Sequence, residues 1–510
     1  MKKVVVVMFA AIFALALIAG CTKSNSGTDQ PSQSPAGSAK PSETKKSSPA
    51  SLTMMVQNHP AWPLKNDWLV WKQHETNANV KLTVSGYQGN WWDAIPLVVA
   101  SGDMPDLMWM AGNEMIHRYG AEGAIVNYLD NLDKMPNLKA FIEKYPEEVK
   151  PLLSTDGKLY VHPSRGAYGT YDGLYLYRED IFQKHNLKVP QTFDELYTTL
   201  VELKKLYPDS TPLLFSGLVG FTNFGYSFNT EHGFYYNPDD KVVKYGPIED
   251  NYRKLLEFAA KAYKEKLIPI EFGNMNSEKT DKLITTDKAF IYYGYIPQID
   301  SYNTKMRASN PSFKLAHMIP PKGPNGKQYD ARQFLLGEGL TVSSKSKNKE
   351  AALKYVDYLF SDLGRDTVSW GKEGVTYEVA GGKKKFLPAI KDQKTASVEY
   401  GLKTSGNMAY FDNDANLALM SEESKKAYTE AEKYVGPMSA LPSVTKSEDD
   451  AIKLKSQAIG KYVDENISKF VLGEKPLSDW NSYVEGVKKL GVDDVLKVYN
   501  DAQARLDKKK

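Results

Sequence analysis

The residues of this chain best suited to chemistry are aromatic rings that fall where strand-like runs end. Lys288-Ala-Phe-Ile-Tyr-Tyr-Gly-Tyr295 reads as a strand running into Gly294, which places the Tyr295 ring just beyond it. Trp109 sits near the end of the apolar run Leu107–Met110. Trp62 lies in the loop Asn58-His-Pro-Ala-Trp62-Pro63, where prolines oppose a helix and Asn58 adds an amide. Trp91 and Trp92 open a helical run; one should pack inward, leaving Trp92 to look out. Tyr168-Gly-Thr-Tyr-Asp-Gly173 joins Tyr171 to the carboxylate of Asp172, between glycines that let backbone come close to a ligand. Trp370 precedes the turn Gly371-Lys-Glu-Gly374. Rigid rings with a few fixed hydrogen-bonding groups suit a neutral polar solute with apolar CH faces, such as a sugar. The candidate ligand-binding set is Asn58, Trp62, Trp92, Trp109, Tyr171, Asp172, Tyr295 and Trp370.

Catalytic patterns are weaker. The seven histidines are scattered, with no His-x-x-x-His pair, so no metal site is expected. Neither a nucleophile elbow nor a phosphate-binding loop occurs, and no cofactor is expected. Asp412, Asp414, Glu422 and Glu423 read as solvated surface. A carboxylate pair at glycosidase spacing remains open at this stage.

The elements that must carry these rings alternate. Ser51–Val56 reads as a strand, Trp68–Thr76 as a helix and Val80–Val84 as a period-two strand. Trp91–Ala100 reads as a second helix and Leu107–Met110 as a buried strand. This β-α-β-α-β order predicts an α/β lobe with largely parallel strands, which places ligands beyond their carboxyl ends. The chain has 510 residues, 65 basic and 62 acidic, with a formal net charge of +3. That length predicts more than one lobe, and the balanced charge argues against a nucleic-acid partner.

The N-terminus reads as an address. Lys2 and Lys3 precede an apolar run, Val4–Ile18, too short to span a bilayer, then Ala19, Gly20 and Cys21, the sole cysteine. Residues 22–50 are rich in Ser, Thr, Pro, Lys, Gly and Ala, the composition of a disordered tether. Ile18-Ala19-Gly20-Cys21 resembles the lipobox of bacterial lipoproteins. The resemblance implies a signal peptide over 1–20, acyl chains on Cys21 and a tether over 21–50. It places the folded part on the extracellular face of the cell membrane, in a Gram-positive bacterium.

Seven further segments carry a family resemblance. Ser101-Gly-Asp-Met-Pro-Asp106, Tyr119–Ile125, Asp156-Gly-Lys-Leu-Tyr160, Leu174–Leu196 with its Pro190-Gln-Thr192 step, and Ile319–Lys327 resemble segments of the family-1 extracellular solute-binding proteins. Trp370–Val379 and Val471–Arg505 resemble the large lipoprotein branch that serves ABC importers of oligosaccharides. In that superfamily a Gly-x-Trp often stands where Gly294-Tyr295 stands here. The resemblance implies an α/β fold: a two-lobed, periplasmic-binding-protein-like clamshell with interlobe hinge crossings. The first lobe would take 51–163 and 324–361. The second would take 164–323 and a mostly helical 362–510. Tyr160–Pro163 and Met318–Lys322 would form the hinge. Some relatives carry a calcium loop after the helix following the Pro-x-Thr step; here Lys205–Pro212 offers only Asp209, so no calcium is expected. The implied partners are an oligosaccharide ligand, ABC permease subunits and the membrane through Cys21, with the protein a non-enzymatic monomer. A surface-anchored glycosidase or lyase, or a sensory sugar-binding subunit without an import role, remain the alternatives.

Overall fold

The computed structural model describes residues 48–508, apart from Gln88, residues 167–172, residues 332–336 and Met438. The expected signal peptide, Cys21 and nearly all of the tether lie outside the described residues, as do Tyr171 and Asp172. The described strands are β1 (Ala50–Gln57), β2 (Val80–Tyr87), β3 (Leu107–Ala111), β4 (Leu174–Arg178), β5 (Leu213–Leu214), β6 (Phe234–Asn237), β7 (Val242–Tyr245), β8 (Ile291–Gly294), β9 (Leu315–His317), β10 (Glu338–Val342), β11 (Tyr377–Ala380) and β12 (Lys383–Phe386).

The first sheet has the order β10-β3-β1-β2. β1 runs parallel to β2 and β3, while β10 is antiparallel to β3. Helix α1 (Leu69–Ala78) joins β1 to β2, and α2 (Trp91–Ser101) joins β2 to β3, matching the order read from the sequence. Period-two patterning holds in β1, where Leu52, Met54 and Val56 are buried. Every residue of β3 is buried, as for a strand covered on both faces. The Ser-Gly-Asp-x-Pro-Asp segment has a structural reason. Asp106 accepts from the Thr53 N–H (2.8 Å) and hydroxyl (2.9 Å) and from Ser346 Oγ (2.6 Å), which joins β1, β3 and the chain after β10.

The second sheet has the order β5-β8-β4-β9, with β5 parallel to β8 and β4 antiparallel to both its neighbours. β6 with β7 and β11 with β12 form separate hairpins. The Pro-x-Thr step caps the helix Phe193–Leu206. Thr192 Oγ1 accepts from the Glu195 N–H at 3.2 Å, and Glu195 Oε2 accepts from the Gln191 N–H at 2.6 Å.

The cores place two boundaries differently from the sequence expectation. Val368, Trp370, Phe386, Leu402, Phe411 and Ala415 pack with Leu52, Trp68 and Tyr355 in the first core, whereas 362–510 was expected in the second lobe. The cause is the buried face of α1 and the residue before it. Trp68 Nε1 donates to Val398 O at 2.8 Å, and His74 Nε2 lies 2.8 Å from Asn407 Oδ1. The 362–415 segment covers that face. From Met420 the chain packs with the second sheet, and Ile452–Val495 complete its other side. Residues 324–331 also stay with the second core: Asn325 Nδ2 donates to Phe228 O at 2.8 Å and Ser227 Oγ to Tyr329 O at 3.1 Å. A further connection appears where Arg165 N–H donates to Ala409 O (2.8 Å) and Phe411 N–H to Arg165 O (2.7 Å).

Candidate binding site at the strand carboxyl ends

Parallel pairing sets the geometry of the first edge. β1, β2 and β3 end together at Gln57, Tyr87 and Ala111, so the Asn58–Leu64 loop and the start of α2 meet there. Asn58 is half-buried at the head of that loop. Its Oδ1 accepts from the Leu64 N–H at 2.9 Å and braces the loop. Trp62 is half-buried and stacks on His59, with centroids 3.9 Å apart and planes 15° apart, so one ring face is taken. Trp92 is 50% exposed, while Trp91 turns inward. The expected split between the two thus appears. Trp109 is buried against Trp91 at 5.9 Å and forms wall rather than open platform, which corrects its reading as a stacking ring.

Trp370 is corrected more firmly. Its ring is buried against Phe386 at 4.7 Å and Tyr377 at 6.0 Å, and its N–H donates to Asp412 Oδ2 at 2.8 Å. Asp412 is therefore a structural acceptor instead of free surface. Glu423 is likewise engaged, holding Arg307 at 2.8 Å.

At the second edge β5 and β8 end at Leu214 and Gly294, and Leu174, the first residue of β4, pairs with Gly294. Tyr295 follows β8 and is 57% exposed. Its backbone N–H donates to Gln298 Oε1 at 2.8 Å, so the ring's root is fixed on the first turn of the helix Ile296–Arg307. Gly294 is required for room and not for a left-handed turn. A Cβ there would stand 2.4 Å from Gln298 Oε1 and 2.5 Å from Tyr292 Cε2. Beside Tyr295 lies a cavity of about 210 Å³ lined by Ser216, Asn276, Thr280, Asp281, Tyr293 and Gln298, among others. These side chains offer hydroxyl, amide and carboxyl groups. A larger groove of about 700 Å³ is lined by the ends of the helices Asp250–Lys264 and Lys446–Leu472 and the turns that follow them. Its lining mixes Phe470, Val471 and Leu477 with the charged Glu257, Lys261 and Lys475, and none of it belongs to either strand edge.

Behind the second edge, Tyr293 donates to Gly173 O at 2.9 Å and accepts from the Ala331 N–H at 2.7 Å. Next to Ala331, Asp330 is fully buried, 3.6 Å from His317 Nε2, and among the described residues its carboxyl oxygens find no closer partner. Burial pushes its carboxyl up to about 6. Sequence reasoning missed this pair, and it missed Glu338, the half-buried carboxylate that opens β10 opposite the end of β3. The polar start of Glu338–Val342 was visible, but only the antiparallel pairing brings it to the binding edge.

The sequence profile of the bacterial extracellular solute-binding proteins matches residues 46–365. The chain belongs to that family. This solute-binding protein is 23% identical over 535 residues to the fructooligosaccharide ABC transporter substrate-binding protein FusA of Streptococcus pneumoniae serotype 4, covering 96% of each chain. The crystal structure of the alginate-binding protein AlgQ2 without calcium ion matches at a TM-score of 0.72 and 26% identity, covering 89% of this chain and 98% of that one. FusA in complex with kestose matches at a TM-score of 0.69 and 20% identity, covering 90% of this chain and all (100%) of that one. The two-sheet α/β architecture of this solute-binding protein is that of its neighbours.

Proposed function

We propose that this protein is the lipid-anchored binding component of an ABC importer and captures an oligosaccharide by closing two lobes over it. The observation that carries the reading is Tyr295. An exposed ring is fixed at its root by Gln298, ends a sheet strand, and stands beside a cavity of about 210 Å³ rich in hydroxyl and amide groups. A sugar needs both features, a face to stack on and oriented partners for its hydroxyls. The names of the relatives support the same ligand class: FusA is described for fructooligosaccharides and AlgQ2 for alginate. Trp62 and Trp92 supply rings at the other strand edge, and Tyr171 and Asp172 belong to the proposed site by their place in the chain. Cys21 carries the lipid, and the two lobes turn about the connections between the two cores.

The test is isothermal titration of the mature chain with neutral and acidic oligosaccharides, beside a melting curve. A ligand at 100 times its dissociation constant adds roughly 2.7 kcal/mol of stability. Saturable binding with a raised melting temperature and no product released supports capture. Hydrolysis or elimination of the sugar supports an enzyme instead. Failure of every oligosaccharide to bind overturns the reading.

A further inference from the structure

Glu338 stands at the first strand edge, where β10 begins. It lies directly across from Ala111, the last residue of β3, and Leu340 lies across from Trp109. Opposed residues of an antiparallel pair share a face and every second residue returns to it, so Glu338, Ala111 and Trp109 stand on one side of the sheet. The residue before Glu338 is held from two sides. Gly337 N–H donates to Asn113 Oδ1 at 3.1 Å, and Gly337 O accepts from the Gly112 N–H at 3.0 Å. Glu338 therefore starts from a fixed backbone. Its side chain is half-buried, and no donor among the described residues reaches its carboxylate; burial alone raises its pKa. On the same face stands Trp109, whose buried indole N–H, like that of the adjoining Trp91, has no hydrogen-bond partner among the described residues. Buried polar groups without partners are rare, and a half-buried carboxylate that solvent still reaches is a place for a ligand's donors.

We infer that Glu338 is a specificity residue of the binding site: its carboxylate accepts a pair of hydroxyls from a neutral sugar, and its fixed negative charge rejects uronate sugars. The inference deepens the oligosaccharide reading and rests on it. Two adjacent hydroxyls of a pyranose or furanose match two carboxylate oxygens, and a bond to a charged acceptor is stronger than one to a neutral group. A uronate carboxylate at the same position would bring two like charges into a partly dry edge, which costs heavily.

The experiment titrates wild type and Glu338→Gln with kestose, maltotriose, cellotriose and tri-galacturonate, with melting curves of the unliganded proteins alongside. The expected result is binding of at least one neutral trisaccharide and none of tri-galacturonate by wild type. In Glu338→Gln the best neutral ligand weakens by about tenfold or more while the unliganded melting temperature holds. If the Gln variant is too unstable to titrate, Glu338→Asp, which keeps the charge and shortens its reach, is measured with the same expected loss. Unchanged affinity in the variant removes Glu338 from the site and leaves the oligosaccharide reading intact. Wild-type binding of tri-galacturonate as tight as that of the neutral sugars overturns the charge filter. No binding of any of the four overturns this inference, and extending the titration to longer neutral and acidic chains decides whether the broader reading goes with it.

Discussion

The Tyr293 hydroxyl accepts a hydrogen bond from the Ala331 N–H at 2.7 Å and passes its own hydrogen to Gly173 O at 2.9 Å. Gly173 and Ala331 lie on two different connections between the cores, so one phenol links both. Tyr293→Phe keeps the ring against Tyr175 and Phe224 but removes both bonds. The expected cost is about 1–3 kcal/mol, read as a lower midpoint in urea. An unchanged midpoint would mean that water takes the place of the hydroxyl.

Tyr295→Ala tests the exposed ring. At 57% exposure little packing is lost, so the melting temperature should hold. Losing an aromatic anchor should weaken oligosaccharide binding by about 2 kcal/mol, roughly thirtyfold in dissociation constant. A lower melting temperature with unchanged affinity would make Tyr295 a packing residue.

Trp370→Phe should do the reverse. It removes the 2.8 Å bond to Asp412 Oδ2 and shrinks a ring buried against Phe386. Stability should fall by about 1–3 kcal/mol because Asp412 loses its donor, while sugar affinity stays within twofold of wild type, roughly the effect of 0.4 kcal/mol. Calorimetry on both proteins, with and without ligand, separates the two effects.

Asp330 sets a pH dependence. Burial pushes its carboxyl up to about 6, whereas an unfolded aspartate ionises near 3.9. Between those values the folded chain holds a proton that the unfolded chain has lost, so this group's contribution to stability falls as pH rises from about 4 to about 6, then levels off. Asp330→Asn removes that slope. It should gain stability over wild type at pH 7.5 and gain nothing at pH 4. Urea midpoints at the two pH values decide the matter; equal differences at both would locate the effect elsewhere.

The loop after the helix Phe193–Leu206 should be indifferent to calcium. Lys204 Nζ donates to Ser210 O at 2.5 Å, and Lys288 Nζ stands 3.6 Å from Asp209. Two ammonium groups thus occupy the polar surroundings a cation would need. Melting temperatures in EDTA and in millimolar calcium should coincide, and a rise with calcium would count against this assignment.

Much of the scaffold was legible because short periods leave clear marks. The alternation in β1, the fully apolar β3 and the Pro-x-Thr helix cap each follow from local chemistry. What failed was non-local. Nothing in the spacing of Trp109 or Trp370 distinguishes a ring that faces solvent from one that closes a core, and both proved buried. The family resemblance puts the 362–415 segment in the second lobe, yet the face of α1 takes it as cover. Glu338 reaches the binding edge only because β10 runs antiparallel to β3, a choice made by the whole sheet.

The divided first core also sets an order of events. Thr341 Oγ1 donates to Met108 O across 233 positions, and Trp68 Nε1 to Val398 O across 330. Synthesis delivers β3 long before β10, and α1 long before its cover. Until then β3 presents an open edge and Trp68 an open ring, and such distant pairings form slowly. The early part of the chain thus stays threadable while the rest is being made. Until the later segments arrive, the first core keeps an unpaired strand edge and an uncovered ring.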